Sequence, residues 1–248
     1  MQKMKETVKK ILSYSPFGIY QIYRDKKKNK RRIEFQSRLI HDYLKDNTIK
    51  KLHIGCGKNI LEGWLNTDLN YSENIAYLDA GVVFPLESGT LDCIYSEHLF
   101  EHLAVNQQIN MLMEGIRVLK KGGIMRIAMP NVEFLFNIYS YPNTPVHIDY
   151  VDHYVSSYPC FKSVRELIKD KDEHYIYVIN NFFKAWGHQM IHDFSSIQKL
   201  ALQCNYSCVR KCEVGGSEVP FLQNIEKHGT AIPERINLLE TMVVEIVK

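Results

Sequence analysis

Long apolar runs are missing from this 248-residue chain. None approaches the roughly 18 residues that a membrane span needs, so no span is expected. The N-terminus lacks an apolar stretch followed by a small-residue cleavage site, and export is not expected either. Cysteine is sparse: six residues, scattered without a disulfide framework, which points to a reducing, cytoplasmic setting. Internal repeats and low-complexity linkers are absent. With 45% of its residues hydrophobic, the chain suits one large domain, or one domain with an appendage.

Acidic charge is scarce only at the start. Residues 1–32 hold eleven Lys or Arg against Glu6 and Asp25, leaving 20 basic and 26 acidic groups in the remainder. The basic character therefore belongs to an N-terminal arm. In it Met4, Val8, Ile11 and Leu12 share a helical face, and "RDKKKNKRR" follows at Arg24–Arg32. An amphipathic turn beside a basic run predicts peripheral contact with anionic membranes through residues 1–32. A second helical stripe runs from Ile33 to about Leu44, so the arm and its helix are taken as 1–47 and the main domain as 48–248.

From Lys50 short apolar runs alternate with helical patterns. "KKLHIG", "WLNTDL", "NIAYLDA", "LDCIYS" and "IMRIAMP" read as five strands, and a helix from about Asn106 to Leu119 precedes the last of these. Its inner face is predicted at Ile109, Leu112, Met113, Ile116 and Leu119. "CVRKCEV" and "ETMVVEIVK" are two more strands, with a helix at "SSIQKLALQCNY" capped by Ser195 or Ser196. Residues 141–190 are rich in Tyr, His and Pro and show no clean period. The alternation predicts an α/β fold with a parallel sheet and helices on both faces.

"HIGCGKN" sets Gly55 and Gly57 at the end of the first strand, where glycine lets a ligand approach the backbone. The third glycine of a dinucleotide turn is absent, Ile60 standing in its place, which argues against a pyrophosphate ligand. A nucleoside-like ligand suits such a turn better. Asp68, at the tip of the second strand, can accept two hydrogen bonds from ribose hydroxyls, and Asp79, at the tip of the third, can receive an adenine amino group. Each alone could be a turn aspartate; three consecutive strand tips carrying these groups are harder to dismiss.

"LHIGCGKNILEGWLNTDL", "LDCIYSEHLFEHL", "GIRVLKKGGIMRIAMPN" and "TMVVEIVK" together resemble the class I S-adenosylmethionine-dependent methyltransferases. The likeness is to the type-11-like branch of bacterial surface-polysaccharide gene clusters. It implies a Rossmann-like, seven-stranded, mostly parallel sheet with an antiparallel last strand, and S-adenosylmethionine as cofactor. It further implies that Gly55, Cys56, Gly57, Asp68, Leu69, Asp79, Ser96 and Glu97 line the cofactor. The gap between Gly55 and Asp68 is short for a full first helix.

"SEHLFEHL" contains His98, Glu101 and His102 in the spacing H-x-x-E-H of an inverted zinc-peptidase motif. Zinc needs a third ligand, and no recognisable partner motif follows, so the segment is read as a strand exit without metal. His102 is read as a packing histidine, whereas Ser96, Glu97 and His98 fall beside the cofactor. Cys204, Cys208 and Cys212 span a helix end and a strand, and are read as core cysteines. A base is expected near the reacting methyl group: His188 first, in "WGHQMIHDF", with Asp193 orienting a neighbouring imidazole, and His98 second. The tyrosines of residues 138–188 suit a ring-stacking acceptor pocket, and Ser217 and Glu218 of "VGGSEVP" are expected to face it.

The expected activity is O-methylation of a sugar or of a glycan- or lipid-linked acceptor. The alternatives are RNA or another small molecule as acceptor, or a non-catalytic cofactor-binding scaffold. The acidic body makes a nucleic-acid groove improbable, and no nucleic-acid partner is expected.

Overall fold

The computed structural model describes residues 37–248; the expected membrane-binding segment, residues 1–32, lies outside the described residues. Seven strands form one sheet: β1 (Lys51–Ile54), β2 (Leu65–Asp68), β3 (Ala76–Tyr77), β4 (Leu91–Glu97), β5 (Leu119–Pro130), β6 (Cys208–Cys212) and β7 (Thr241–Val247). Their order is β3-β2-β1-β4-β5-β7-β6. β1 to β5 pair in parallel, and β7 runs antiparallel to β5 and β6. This is the Rossmann-like sheet with an antiparallel last strand that the sequence predicts. Strand order reverses between β1 and β4, and the carboxyl ends of strands at such a reversal are where open α/β sheets bind ligands.

Parallel neighbours usually need a helical crossover of a dozen or more residues, yet no helix lies between β1 and β2. Asn66 makes the short connection workable. Its Oδ1 accepts the Leu61 N–H at 3.0 Å, and its Nδ2 donates to the carbonyls of Leu61 and Trp64 at 2.9 and 3.1 Å. One buried amide thus satisfies the polar backbone that a helix would have paired internally.

One sheet face packs Leu52, Ile54, Ile94, Ile127 and Val244 against three helices. These are α1 (described over residues 37–46), α2 (Val105–Val118) and α7 (Phe194–Gln203). Ile40 of α1 is buried in this core, so the helical end of the expected arm packs as part of the domain. The inner stripe of α2 is Gln108, Met111, Leu112, Gly115 and Val118, while Ile109 and Met113 are exposed. A glutamine and a glycine on the buried side hid that register. An added Cβ at Gly115 would meet the tip of the Met125 side chain at 2.1 Å and the Tyr206 hydroxyl at 2.7 Å, so both would have to shift.

The other face carries Trp64, Cys93 and Tyr95 beneath Leu222 and Ile225, and its helical cover is reduced to the 3₁₀ turn Pro220–Leu222. The segment covering it is pinned by charge. Arg126, wholly buried in β5, binds Glu226 at 2.6 Å and Glu245 at 2.8 Å, and donates to the Gly216 carbonyl at 2.9 Å. Ser217 donates to Glu245, and Glu218 pairs with exposed Arg210. Neither Ser217 nor Glu218 therefore faces a ligand as expected.

Residues 141–190, predicted irregular, are largely helical: α4 (Pro145–Ser157), α5 (Lys162–Leu167) and α6 (His174–Lys184) follow α3 (Val132–Ser140). The buried positions of α4 are His147, Tyr150, Val151, Tyr154 and Val155, a helical period written partly in His and Tyr. Among the described residues no helix is long and apolar enough to cross a membrane.

Candidate active site

The turn after β1 folds back on β2. The N–H groups of Gly55 and Cys56 both donate to the Thr67 carbonyl, at 2.8 and 3.0 Å. Gly55 and Gly57 adopt φ of +71° and +51°, which disfavours a side chain at either position. Above Gly57 an added Cβ would meet nothing within 4 Å, whereas at Gly55 it would strike the Leu99 side chain. Asp68 stands over this turn, accepting the N–H of Gly57 at 3.0 Å and of Asn70 at 2.8 Å. Leu69 beside it is exposed, and Asp79 accepts the Gly81 N–H at 2.8 Å. Cys56 is buried, and burial together with the Asp68 charge pushes its thiol up to about 11, so it packs as a neutral group.

These features fit a nucleoside: open backbone at Gly57, a carboxylate at one strand tip, a second at the next and an exposed apolar surface at Leu69. Ser96, by contrast, is wholly buried within β4. Glu97 grips the far loop, accepting the N–H groups of Lys227 and His228 at 2.8 and 2.9 Å.

His98 leaves β4 with φ of +46°, a conformation costly for a residue with a Cβ and tolerated where neighbours enforce it. Its Nδ1 lies 3.1 Å from Glu101 Oε1, its ring packs tilted against His228 with centroids 3.7 Å apart, and its Nε2 has no hydrogen-bond partner. Burial alone would lower the imidazole; the hydrogen bond and charge of Glu101 outweigh it and hold His98 above its ordinary value. Burial would likewise raise Glu101, and His98 outweighs it, keeping the carboxyl below its ordinary value. The H-x-x-E-H run is not a helical face. Phe100–His102 is a 3₁₀ turn, and His98 Nδ1 and His102 Nε2 approach the same Glu101 oxygen, at 3.1 and 3.9 Å.

Beside this turn lies a cavity of about 320 Å³, lined by His98, Glu101, His102, Tyr154, Tyr158, Phe182, Trp186, His188, His228 and Glu240. The insert supplies its aromatic wall. Tyr154 and Tyr158 stack at 5.0 Å, and Trp186 meets both edge-on. Glu240 accepts the hydroxyls of Tyr150 and Tyr154 at 2.6 and 2.7 Å, which fixes that wall. Trp186 shares the strained conformation of His98, at φ of +57°.

His188 reaches the same cavity. The turn that carries it is tied to the β4 exit by Gln189 and Met190, whose N–H groups donate to the Glu101 carbonyl. His188 Nδ1 lies 2.7 Å from the Phe182 carbonyl, so Nδ1 donates and Nε2 keeps its lone pair; burial lowers the imidazole below its ordinary value. The structure thus brings His98 and His188, read as separate candidates, to one cavity. His102, read as a packing group, faces His188 at 5.0 Å between ring centroids. His192 does not join them: it is buried, hydrogen-bonded to Gln108 and Ser196. Asp193 caps α7 through the Ser196 N–H at 2.7 Å and orients no catalytic imidazole. Neither Ser195 nor Ser196 is therefore the cap; Ser196 is the third residue of the helix, and its hydroxyl accepts the Asp193 N–H in return. Sequence reasoning also missed Glu240 and His228; both lie in stretches without motif, and only the fold carries them to the cavity.

Residues 66–127, from β2 to within β5, match the family model described as a methyltransferase domain. No curated protein matches the chain. Among solved structures, it is similar to a SAM-dependent methyltransferase from Archaeoglobus fulgidus at 16% identity. That match covers 88% of this chain and 94% of the other, with a TM-score of 0.44. An S-adenosylmethionine-dependent methyltransferase from Mesorhizobium loti is 13% identical over 81% of this chain and 91% of its own, with a TM-score of 0.46. Phosphoethanolamine N-methyltransferase 2 of Haemonchus contortus, in complex with S-adenosyl-L-methionine, is 11% identical over 86% of this chain and 52% of its own, at 0.41.

Proposed function

We propose that this chain, an S-adenosylmethionine-dependent methyltransferase, methylates a hydroxyl of a single ring-bearing acceptor, a sugar residue free or linked to glycan or lipid. The observation carrying this reading is the aromatic cavity at the exit of β4, the strand paired with β1, with a buried histidine–carboxylate pair in its wall. Gly55, Gly57, Asp68, Leu69 and Asp79 are the residues proposed to hold the cofactor. When bound, S-adenosylmethionine supplies a methyl group already electrophilic on its sulfonium.

What remains for the protein is to seat the acceptor and take its proton. A sugar hydroxyl does not ionise at neutral pH, so an oxygen acceptor calls for a base. His98 suits that role better than His188. Its Nδ1–H is held by Glu101, which fixes the tautomer and stabilises the imidazolium formed when Nε2 accepts the proton. His188 has only a carbonyl behind it. Stacked Tyr154 and Tyr158, with Trp186 across from them, offer apolar faces to a ring, and the cavity admits one such unit rather than a duplex.

The test is transfer of labelled methyl from the cofactor to separated glycan, lipid-linked sugar and RNA fractions. Label on sugar oxygen is the expected result. Label on RNA, or cofactor binding without transfer to any fraction, overturns the reading.

A further inference from the structure

Two arms of the cavity converge on more than a base. Glu101, His102 and His188 each present one ligand atom, and the three atoms lie within 4.8 Å of one another. We infer that these residues form a site for one divalent transition-metal ion, with zinc the ion that two imidazoles and a carboxylate suit. The sequence offered the run of His98, Glu101 and His102 without a partner motif; the fold brings His188 to Glu101 and His102 in place of His98.

Several independent features point to an ion. The Glu101 side chain is 1% exposed, and Oε2 has no hydrogen-bond partner. A buried carboxylate has capacity for about four bonds, and leaving one oxygen unpaired costs free energy that a cation would recover. His188 donates Nδ1–H to a backbone carbonyl at 2.7 Å, which is how a metal-binding imidazole is commonly oriented, with Nε2 as the ligand. His102 Nε2 lies 3.9 Å from Glu101 Oε1, near it but beyond hydrogen-bond reach.

The spacing is wider than in a closed site. Bonds of about 2.0–2.1 Å in a tetrahedral set place donors about 3.3 Å apart, so the three side chains would draw in slightly. The backbone is already in place, because the Glu101 carbonyl receives the N–H groups of Gln189 and Met190 immediately after His188. Three protein ligands leave one position open, and the cavity adjoins it. There the ion would hold the acceptor oxygen and polarise its O–H as a Lewis acid, while His98, outside the ligand set, receives the proton. This role rests on the proposed activity; the site itself does not.

The experiment therefore reads binding alone, with neither cofactor nor acceptor present. The full chain is stripped with chelator, dialysed and titrated with Zn²⁺ against a competing indicator, and Co²⁺ is added to a second sample to follow its visible absorption. One ion per chain is expected. His102→Ala and His188→Ala should each lower zinc affinity beyond the roughly 10–100-fold that loss of an outer-shell partner costs. Glu101→Gln should do the same if it remains folded by circular dichroism, and His153→Ala should bind as the parent does. His102 is partly exposed, so its variant keeps the test decisive should the Glu101 variant unfold. No stoichiometric binding, or equal affinity in His102→Ala, His188→Ala and the parent, overturns the site while leaving the methyl-transfer reading untouched.

Discussion

His98→Ala should slow single-turnover methyl transfer by about 10² to 10⁴ while leaving cofactor affinity unchanged. The expectation follows from where the backbone places the residue. His98 sits at the tip of β4 with φ of +46°, lines the cavity, and keeps a buried Nε2 without a hydrogen-bond partner. Glu101 holds the opposite nitrogen. Alanine removes the proton acceptor and touches none of Gly55, Gly57 or Asp68. His188→Ala should also reduce transfer. A variant pair in which only His188→Ala is impaired, with its zinc affinity parental, would move the base from His98 to His188. Parental rates in both would remove proton abstraction by either histidine from the mechanism.

Arg126→Met should destabilise the domain by about 3–5 kcal/mol, read from denaturant unfolding. Arg126, Glu226 and Glu245 are all nearly inaccessible, so removing the guanidinium strands two buried carboxylates. Adding Glu226→Leu and Glu245→Leu should recover most of the loss, because apolar replacement of a whole buried ion cluster is often neutral. The lesion should reach the site as well. Glu226 also accepts the Gly215 N–H, and the following residues Lys227 and His228 are gripped by Glu97, with His228 packed against His98. An unfolding midpoint unchanged in Arg126→Met would show that this cluster does not anchor the cover of the sheet.

The sheet was readable because its strands are short apolar runs closed by glycine or aspartate, and the strand tips that bear Gly55, Gly57, Asp68 and Asp79 announced themselves by spacing. The insert was not. Its helix α4 buries His147, Tyr150 and Tyr154, residue types that count as polar in a period analysis yet satisfy themselves internally, Tyr150 and Tyr154 on Glu240. The cavity followed the same pattern. His98 and His188 were visible as chemistry, but their convergence depends on backbone bonds from Gln189 and Met190 to the Glu101 carbonyl, which no local motif encodes. Gln108 on the buried side of α2 misdirected the helical stripe for a related reason: it serves Phe100 and His192 rather than solvent.

The central claim is that cofactor and acceptor occupy adjoining but separate places, one above Gly57 and Asp68, the other in the aromatic cavity. Calorimetric titration of S-adenosylhomocysteine into the parent, Asp68→Ala and Ala231→Trp proteins tests it most directly, since Ala231 lines the cavity and tryptophan there would fill it. One site per chain is expected, weakened by about 1.5–3 kcal/mol in Asp68→Ala and unchanged in Ala231→Trp. Binding lost in Ala231→Trp but parental in Asp68→Ala would place the cofactor in the cavity and contradict the account.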